Sequence, residues 1–251
     1  FEHQPHEVEI APPSGRAYAR WRVATTLGRA PDTRPHAFGR YLARDYDDLV
    51  DHPVELGSFD LVSFDACGVP PEIAITGRHD CDTERLAADA QRICEAQIRM
   101  FHGRRARPQQ VPFDRYLFQV MAVGDGYGGL EHRNSTALIC SRKDLPYAGM
   151  TGVPEGYRSF LGLVSHEYFH TWNVKRIKPA AFAPYDLARE NYTRLLWAFE
   201  GFTSYYDDLF LLRAGLIDEA RYLKLLTGNV NTVLAGPGRR RQSVAQSSFE
   251  A

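Results

Sequence analysis

FLGLVSHEYFHTW, residues 160–172, has helical apolar spacing at Phe160, Leu163, Val164 and Phe169, and neither Pro nor Gly interrupts it after Gly162. The pattern predicts a helix over roughly residues 157–173. On such a helix His166 and His170, four residues apart, lie about 40° apart around the axis and roughly 6 Å along it. Two imidazoles at that spacing converge on one ion. Glu167 sits about 100° around from His166, where it can face water at that ion without binding the metal. Zinc at such a site makes the water a stronger acid, and Glu167 is placed to take its proton. Three fixed positions also arise by chance, so a histidine pair on an ordinary core helix is the competing reading.

A catalytic site of this kind needs a third protein ligand and an open fourth position. The candidate is Glu200, in LLWAFEGFTSYYDDL, residues 195–209. A lone carboxylate among aromatic and aliphatic residues is costly to bury, and a metal removes that cost. An exposed Glu on an amphipathic helix is the alternative. A helix over roughly residues 189–213 is predicted here. Asp207 and Ser204, on the same helix, could each hydrogen-bond a ligand imidazole or simply face solvent.

Working outward, the first third reads as strand and loop. WRVATTL (21–27), SFDLVSF (58–64) and EIAIT (72–76) are predicted strands, and DYDDLVDHPVELG (45–57) a turn-rich connection near a domain boundary. A helix capped by Asp82 or Thr83 follows and ends near Gly103. Its apolar face is formed by Leu86, Ala90, Ile93 and Phe101, with Gln97 as a polar exception. YLFQVMAV (116–123) and STALICS (135–141) read as strands, with the glycine-rich turn GDGYGGLEH between them. Strands first and helices after give an α+β class.

The formal net charge of −1 gives no reason to expect nucleic acid or an anionic membrane as partner. The basic run Arg239–Arg241 reads as a solvated loop. Cys67, Cys81, Cys94 and Cys140 form no CxxC pair, so free thiols are expected, which suits a reducing, cytoplasmic compartment slightly better than a periplasmic one. No stretch has the apolar length of a membrane span, and FEHQPHEVEIAPP carries no signal-peptide pattern. The abrupt start at Phe1 and the ending SSFEA lead to the expectation of an excerpt from a longer protein.

HEYFHTWNVKRIKP (166–179), LLWAFEGFTSYYDDL (195–209) and, upstream, YGGLEHRNST (127–136) together resemble the glycyl aminopeptidase family of zinc peptidases. These are gluzincins with a thermolysin-like catalytic domain, commonly followed by a PDZ domain. The resemblance runs from about Tyr46 to the end. It implies one zinc held by His166, His170 and Glu200, with Glu167 as general base. It also implies that residues 1–56 end a β-rich domain and 57–251 form an incomplete thermolysin-like domain. HTW and WAFEGF further resemble the larger alanyl and leucyl aminopeptidases, whose Gly-x-Met-Glu-Asn motif on a sheet edge binds the substrate's free amino terminus. Gly128, Gly129, Leu130, Glu131 and His132 stand in the comparable place, His132 replacing the Asn.

That match casts Gly128, Gly129 and Glu131 as substrate-binding residues: the glycines admit a substrate backbone and the carboxylate pairs with an ammonium. Taken on their own, these residues read as a turn entering a strand, with Glu131 in solvent. The implied reaction is removal of small N-terminal residues, Gly or Ala, from peptides with a free N-terminus. An endopeptidase or a catalytically incomplete peptide-binding fragment are the alternatives. The resemblance places an oxyanion-stabilising Tyr downstream of the third ligand, and nothing near residue 251 matches its Ser-Tyr-Tyr segment.

Overall fold

The computed structural model describes all residues, Phe1–Ala251. It opens with short strands: β1 (His6–Ile10), β2 (Arg22–Ala24), β3 (Gly28–Arg29), β4 (Gly39–Ala43) and, after the short helix α1 (Tyr46–Val50), β5 (Glu55–Gly57). They form a three-stranded sheet in the order β1-β4-β3 and an antiparallel pair of β2 with β5. The stretch expected to be a turn-rich connection contains α1, because the Asp45 side chain caps it by accepting from the Asp48 N–H at 2.7 Å.

The second sheet has five strands: β6 (Phe59–Ser63), β7 (Pro71–Thr76), β8 (Tyr116–Val123), β9 (Tyr127–Glu131) and β10 (Ser135–Ser141), ordered β6-β7-β8-β10-β9. β7, β8 and β10 run parallel, and β9 pairs antiparallel with β10 from Cys140↔Tyr127 to Thr136↔Glu131. YGGLE is therefore an edge strand and not part of the expected turn. Its glycines form no side-chain ladder, but their backbone groups pair with β10, and an edge tolerates that weakness.

α2 (Thr83–His102) and α3 (Glu155–His170) pack on this sheet, and α4 (Leu196–Arg213) packs against α3; α5 (Glu219–Ala235) and α6 (Val244–Glu250) follow. The main core joins Phe118, Val120, Leu138 and Cys140 of the sheet to Leu86, Ile93 and Ile98 of α2 and to Phe160, Leu161, Val164 and Tyr168 of α3. Each such buried aliphatic or aromatic side chain contributes about 1.5–3 kcal/mol. Asp82 caps α2, accepting from the Arg85 N–H at 3.0 Å. Gln97, the polar exception, is fully buried, and its amide donates to the Ser165 carbonyl at 2.8 Å. It therefore ties α2 to the residue just before His166.

α4 begins seven residues later than expected, at Leu196 rather than near 189. Before it, side chains compete for the backbone: Asn191 Oδ1 accepts from the Asp186 N–H at 2.9 Å, and Thr193 Oγ1 accepts from the Leu195 N–H at 3.2 Å. All four cysteines are free. No helix is long and apolar enough to cross a membrane.

An ionic cluster joins the N-terminal region to the second sheet. Arg133, just past β9, reaches Asp47 at 2.8 Å, Asp48 at 3.0 Å and Asp51 at 2.9 Å. Burial works to raise the Asp48 carboxyl, but the Arg44 side chain and backbone N–H outweigh it and lower the pKa to about 2. A lowered folded-state pKa stabilises the fold above the unfolded value near 3.8 and ceases to do so as pH falls towards about 2. Asp48→Asn is therefore expected to lose about 1.5–3 kcal/mol at pH 7. In urea unfolding at stepped pH, the gap to wild type should narrow steadily below about pH 4; a constant gap refutes the assignment.

Candidate metal centre

The buried side of α3 holds the helix against β9 on one flank and α4 on the other. That packing brings all seven sequence-predicted residues into one place. His166, Glu167 and His170 lie on α3, Glu200 on the first turns of α4, and Gly128, Gly129 and Glu131 on the edge strand β9.

The two histidines turn their Nε2 atoms towards each other, 3.2 Å apart. Glu200 Oε2 lies 3.3 Å from His166 Nε2 and 3.5 Å from His170 Nε2. A tetrahedral ion with bonds of about 2.0–2.1 Å separates its ligand atoms by ~3.3–3.4 Å. Two imidazole nitrogens and a carboxylate oxygen at these spacings thus fit a small tetrahedral cation. The ring tautomers suit that role, because both Nδ1 atoms are engaged elsewhere. His166 Nδ1 faces Asp207 Oδ2 at 3.0 Å, and His170 Nδ1 faces the Asn173 carbonyl at 2.8 Å. Protons on Nδ1 leave each Nε2 lone pair free.

Of the two residues considered for imidazole support, Asp207 is the one in contact. Ser204 faces solvent. Thr203, its buried neighbour, lies 3.5 Å from His170 Nδ1 and accepts from the Asn173 amide at 3.1 Å. Sequence reasoning missed Thr203 and Asn173. Their signal was positional: Thr203 lies three residues beyond Glu200 and Asn173 three beyond His170, each one turn from a ligand candidate.

Glu200 is half-exposed, with 47% of its side chain accessible. Trp197, Phe202 and Tyr205 around it are exposed too. The burial cost that singled it out in the sequence is therefore not what places it; the imidazoles are. Hydrogen bonds from His166 and then His170 hold its carboxyl well below the ordinary range. Burial opposes charge on His166, yet Asp207 and Glu200 outweigh it and push its pKa up to about 10. The same negative field that holds a proton there favours a cation.

Glu167 is buried, and its Oε2 has no hydrogen-bond partner. Burial pushes its pKa up to about 7, against the pull of His166 and His170. It lies directly against β9: a Cβ on Gly129 would overlap the Glu167 carboxylate. Gly128 points to the other face, with nothing near its missing side chain. Gly129 thus admits the side chain of Glu167, a role different from the close substrate approach expected of both glycines. Glu131, two residues on and on the same face as Gly129, belongs to a second group: its carboxylate, that of Glu167 and a His170 ring nitrogen lie within 4.8 Å of one another.

Residues 159–251 match the M61 glycyl aminopeptidase family, and residues 1–58 match the Peptidase M61 N-terminal domain. The fold is similar to the crystal structure of an aminopeptidase N family protein from Idiomarina loihiensis, with a TM-score of 0.93 and 45% identity over 100% of this chain. The chain spans 41% of the length of that protein's chain. No curated protein gives a significant match. The chain belongs to the M61 glycyl aminopeptidase family, matching both its N-terminal domain and its peptidase model.

Gly129→Ala in the full-length protein forces Glu167 off the strand while leaving His166, His170 and Glu200 in place. Peptidase turnover is expected to fall by about 10²-fold, with metal content by mass spectrometry unchanged. Retained turnover would show that the Glu167–Gly129 contact is dispensable.

Proposed function

We propose that the protein is a zinc-dependent aminopeptidase that removes small N-terminal residues, Gly or Ala, from peptides. In this reading residues 57–251 belong to a thermolysin-like catalytic domain and residues 1–56 to a preceding β-rich domain. His166, His170 and Glu200 hold one zinc per chain. Nitrogen and carboxylate donors at tetrahedral spacing suit that metal. Zinc, when bound, polarises the scissile carbonyl and acidifies water at the open position.

The chain's own residues supply the rest. Glu167 takes a proton from the attacking water as the new C–O bond forms. It then passes that proton to the peptide nitrogen as the C–N bond breaks. Its unpartnered Oε2 and raised pKa suit a group that must both accept and release a proton near neutrality. The outer edge of β9 offers backbone groups to an extended peptide, and Glu131 receives the substrate ammonium.

One observation carries the exopeptidase reading. Glu131 brings a further carboxylate beside Glu167 and His170, in a site that already has its base and its third ligand. An endopeptidase has no need of that charge, whereas an α-ammonium one residue from the scissile bond needs it.

Glu167→Gln in the full-length protein should keep zinc at one per chain and lose nearly all turnover, because the amide cannot accept the water's proton. His166→Ala should lose zinc instead, as read by equilibrium dialysis. A Glu167→Gln enzyme with near-normal turnover would remove the base assignment.

Glu131→Ala should reduce kcat/KM for free-amine glycyl or alanyl substrates by roughly one to two decades, the equivalent of a charge-assisted hydrogen bond of ~1.5–3 kcal/mol. It should matter little for N-acetylated peptides, which the wild type should cleave poorly. Equal wild-type cleavage of the free and acetylated forms of one peptide would favour the endopeptidase.

A further inference from the structure

Asp51 belongs to the N-terminal region, yet its carboxylate ends among residues that flank the candidate site. Its side chain is 10% exposed. Oδ1 lies 3.1 Å from His132 Nδ1 and 2.8 Å from Lys175 Nζ, and Oδ2 lies 2.9 Å from Arg133 Nε. His132 and Arg133 directly follow Glu131, so Asp51 grips the strand end that carries the proposed amine-binding carboxylate. Lys175 lies two residues beyond Asn173, whose carbonyl receives His170 Nδ1 at 2.8 Å. Between them Val174 adopts φ 133°. That conformation is unfavourable for a β-branched residue and persists only where flanking contacts enforce it.

Charge balance at Arg133 alone does not call for Asp51, although Lys175 and His132 have no other carboxylate partner. Arg133 already has Asp47 and Asp48. A third carboxylate taken out of water is costly unless its geometry is well satisfied. Asp51 satisfies it by spanning two elements that nothing else on the N-terminal side connects: the end of β9 and the turn that orients His170.

We infer that Asp51 is a positioning residue for the amine end of the site, fixing Glu131 relative to the His170 turn through His132 and Lys175. The inference rests on the aminopeptidase reading above. It makes the N-terminal region a contributor to the site's geometry rather than an appended domain.

The test uses full-length, zinc-loaded protein. Asp51→Asn is expected to raise KM for an alanyl amide about tenfold and to weaken glycinamide binding, read by calorimetry, by a similar factor, with kcat within about threefold. Zinc content should stay close to wild type, while the thermal midpoint should fall as it does for Asp48→Asn, because Lys175 loses its carboxylate partner. Lys175→Met, which cuts only the turn-side link, should shift KM the same way and by less. In a Glu131→Ala background Asp51→Asn should add almost nothing, because it acts through Glu131. A lower thermal midpoint with KM and glycinamide affinity unchanged would make Asp51 merely structural and overturn the inference, as would additive effects in the Glu131→Ala background. If the wild type fails to distinguish free from acetylated amines, the aminopeptidase reading falls and this inference with it. If the wild type distinguishes them but neither variant shifts KM, only the inference falls.

Discussion

The separation between α3 and the edge of the five-stranded sheet is set where Glu167 lies against Gly129, and everything at the candidate site is measured from that contact. A side chain on Gly129 would displace the Glu167 carboxylate. With none, α3 comes close enough for Glu131 and His170 to share a group with Glu167. The opposite flank is fixed by hydrogen bonds rather than apolar packing alone. Ser165 donates to the Asp207 carbonyl at 2.9 Å while accepting from Gln97 at 3.0 Å, so one residue locks α3 to both α2 and α4. Because the ligand candidates are His166, next to Ser165, and Glu200, on the helix of Asp207, small errors in that lock would open the metal triangle. Buried polar contacts of this kind fix a register that apolar packing alone leaves adjustable.

The electrostatics of the site follow from its composition. Two imidazoles stand among four carboxylates, those of Glu131, Glu167, Glu200 and Asp207. Such a set strongly favours positive charge, which is why burial fails to lower the His166 pKa, raised instead to about 10. The four acids divide the work by environment. Glu200 is half-exposed and paired with both rings, so it stays ionised. Glu167 is buried without a partner, so its proton is held loosely near neutrality. Separating two carboxylates in this manner suits one to the proposed role of ligand and the other to that of base without any difference in side-chain chemistry.

Much of this was legible in the sequence, and the gaps have physical causes. HEYFH reads out directly because helical geometry is local: a four-residue spacing fixes two side chains whatever the tertiary fold. Glu200 was found from a burial argument, although the side chain is half-exposed and its aromatic neighbours face outward. The composition of a helix does not say which way its apolar side points when part of that side is left uncovered. β9 read as a turn because Gly128 and Gly129 carry no strand signal; pairing with β10 is a tertiary fact. Asp51 gave no signal, and Gln97 only that of a polar residue on an apolar face, since their partners lie 81 and 68 residues away in the chain.

The junction between the N-terminal strands and the second sheet is largely polar, and that bears on how the site is held. Its apolar contact is a cluster of four buried residues, Ala24, Phe59, Ala74 and Leu117. Around it the links are directional. Arg115 donates to the Thr26 carbonyl at 2.7 Å, Gln119 to the Ala24 carbonyl at 2.8 Å, and Thr26 to Asn134 Oδ1 at 2.8 Å. An apolar interface of similar extent could slide by a fraction of a residue at little cost, since dispersion contacts are nearly interchangeable. One guanidinium gripped by Asp47, Asp48 and Asp51 cannot slide without breaking charged hydrogen bonds. Burying those charges adds little net stability; what it supplies is registration. The registered point is Arg133, two residues from Glu131, so the precision of this junction is delivered at the end of β9, where the proposed amine anchor must hold a fixed distance from the candidate metal ligands.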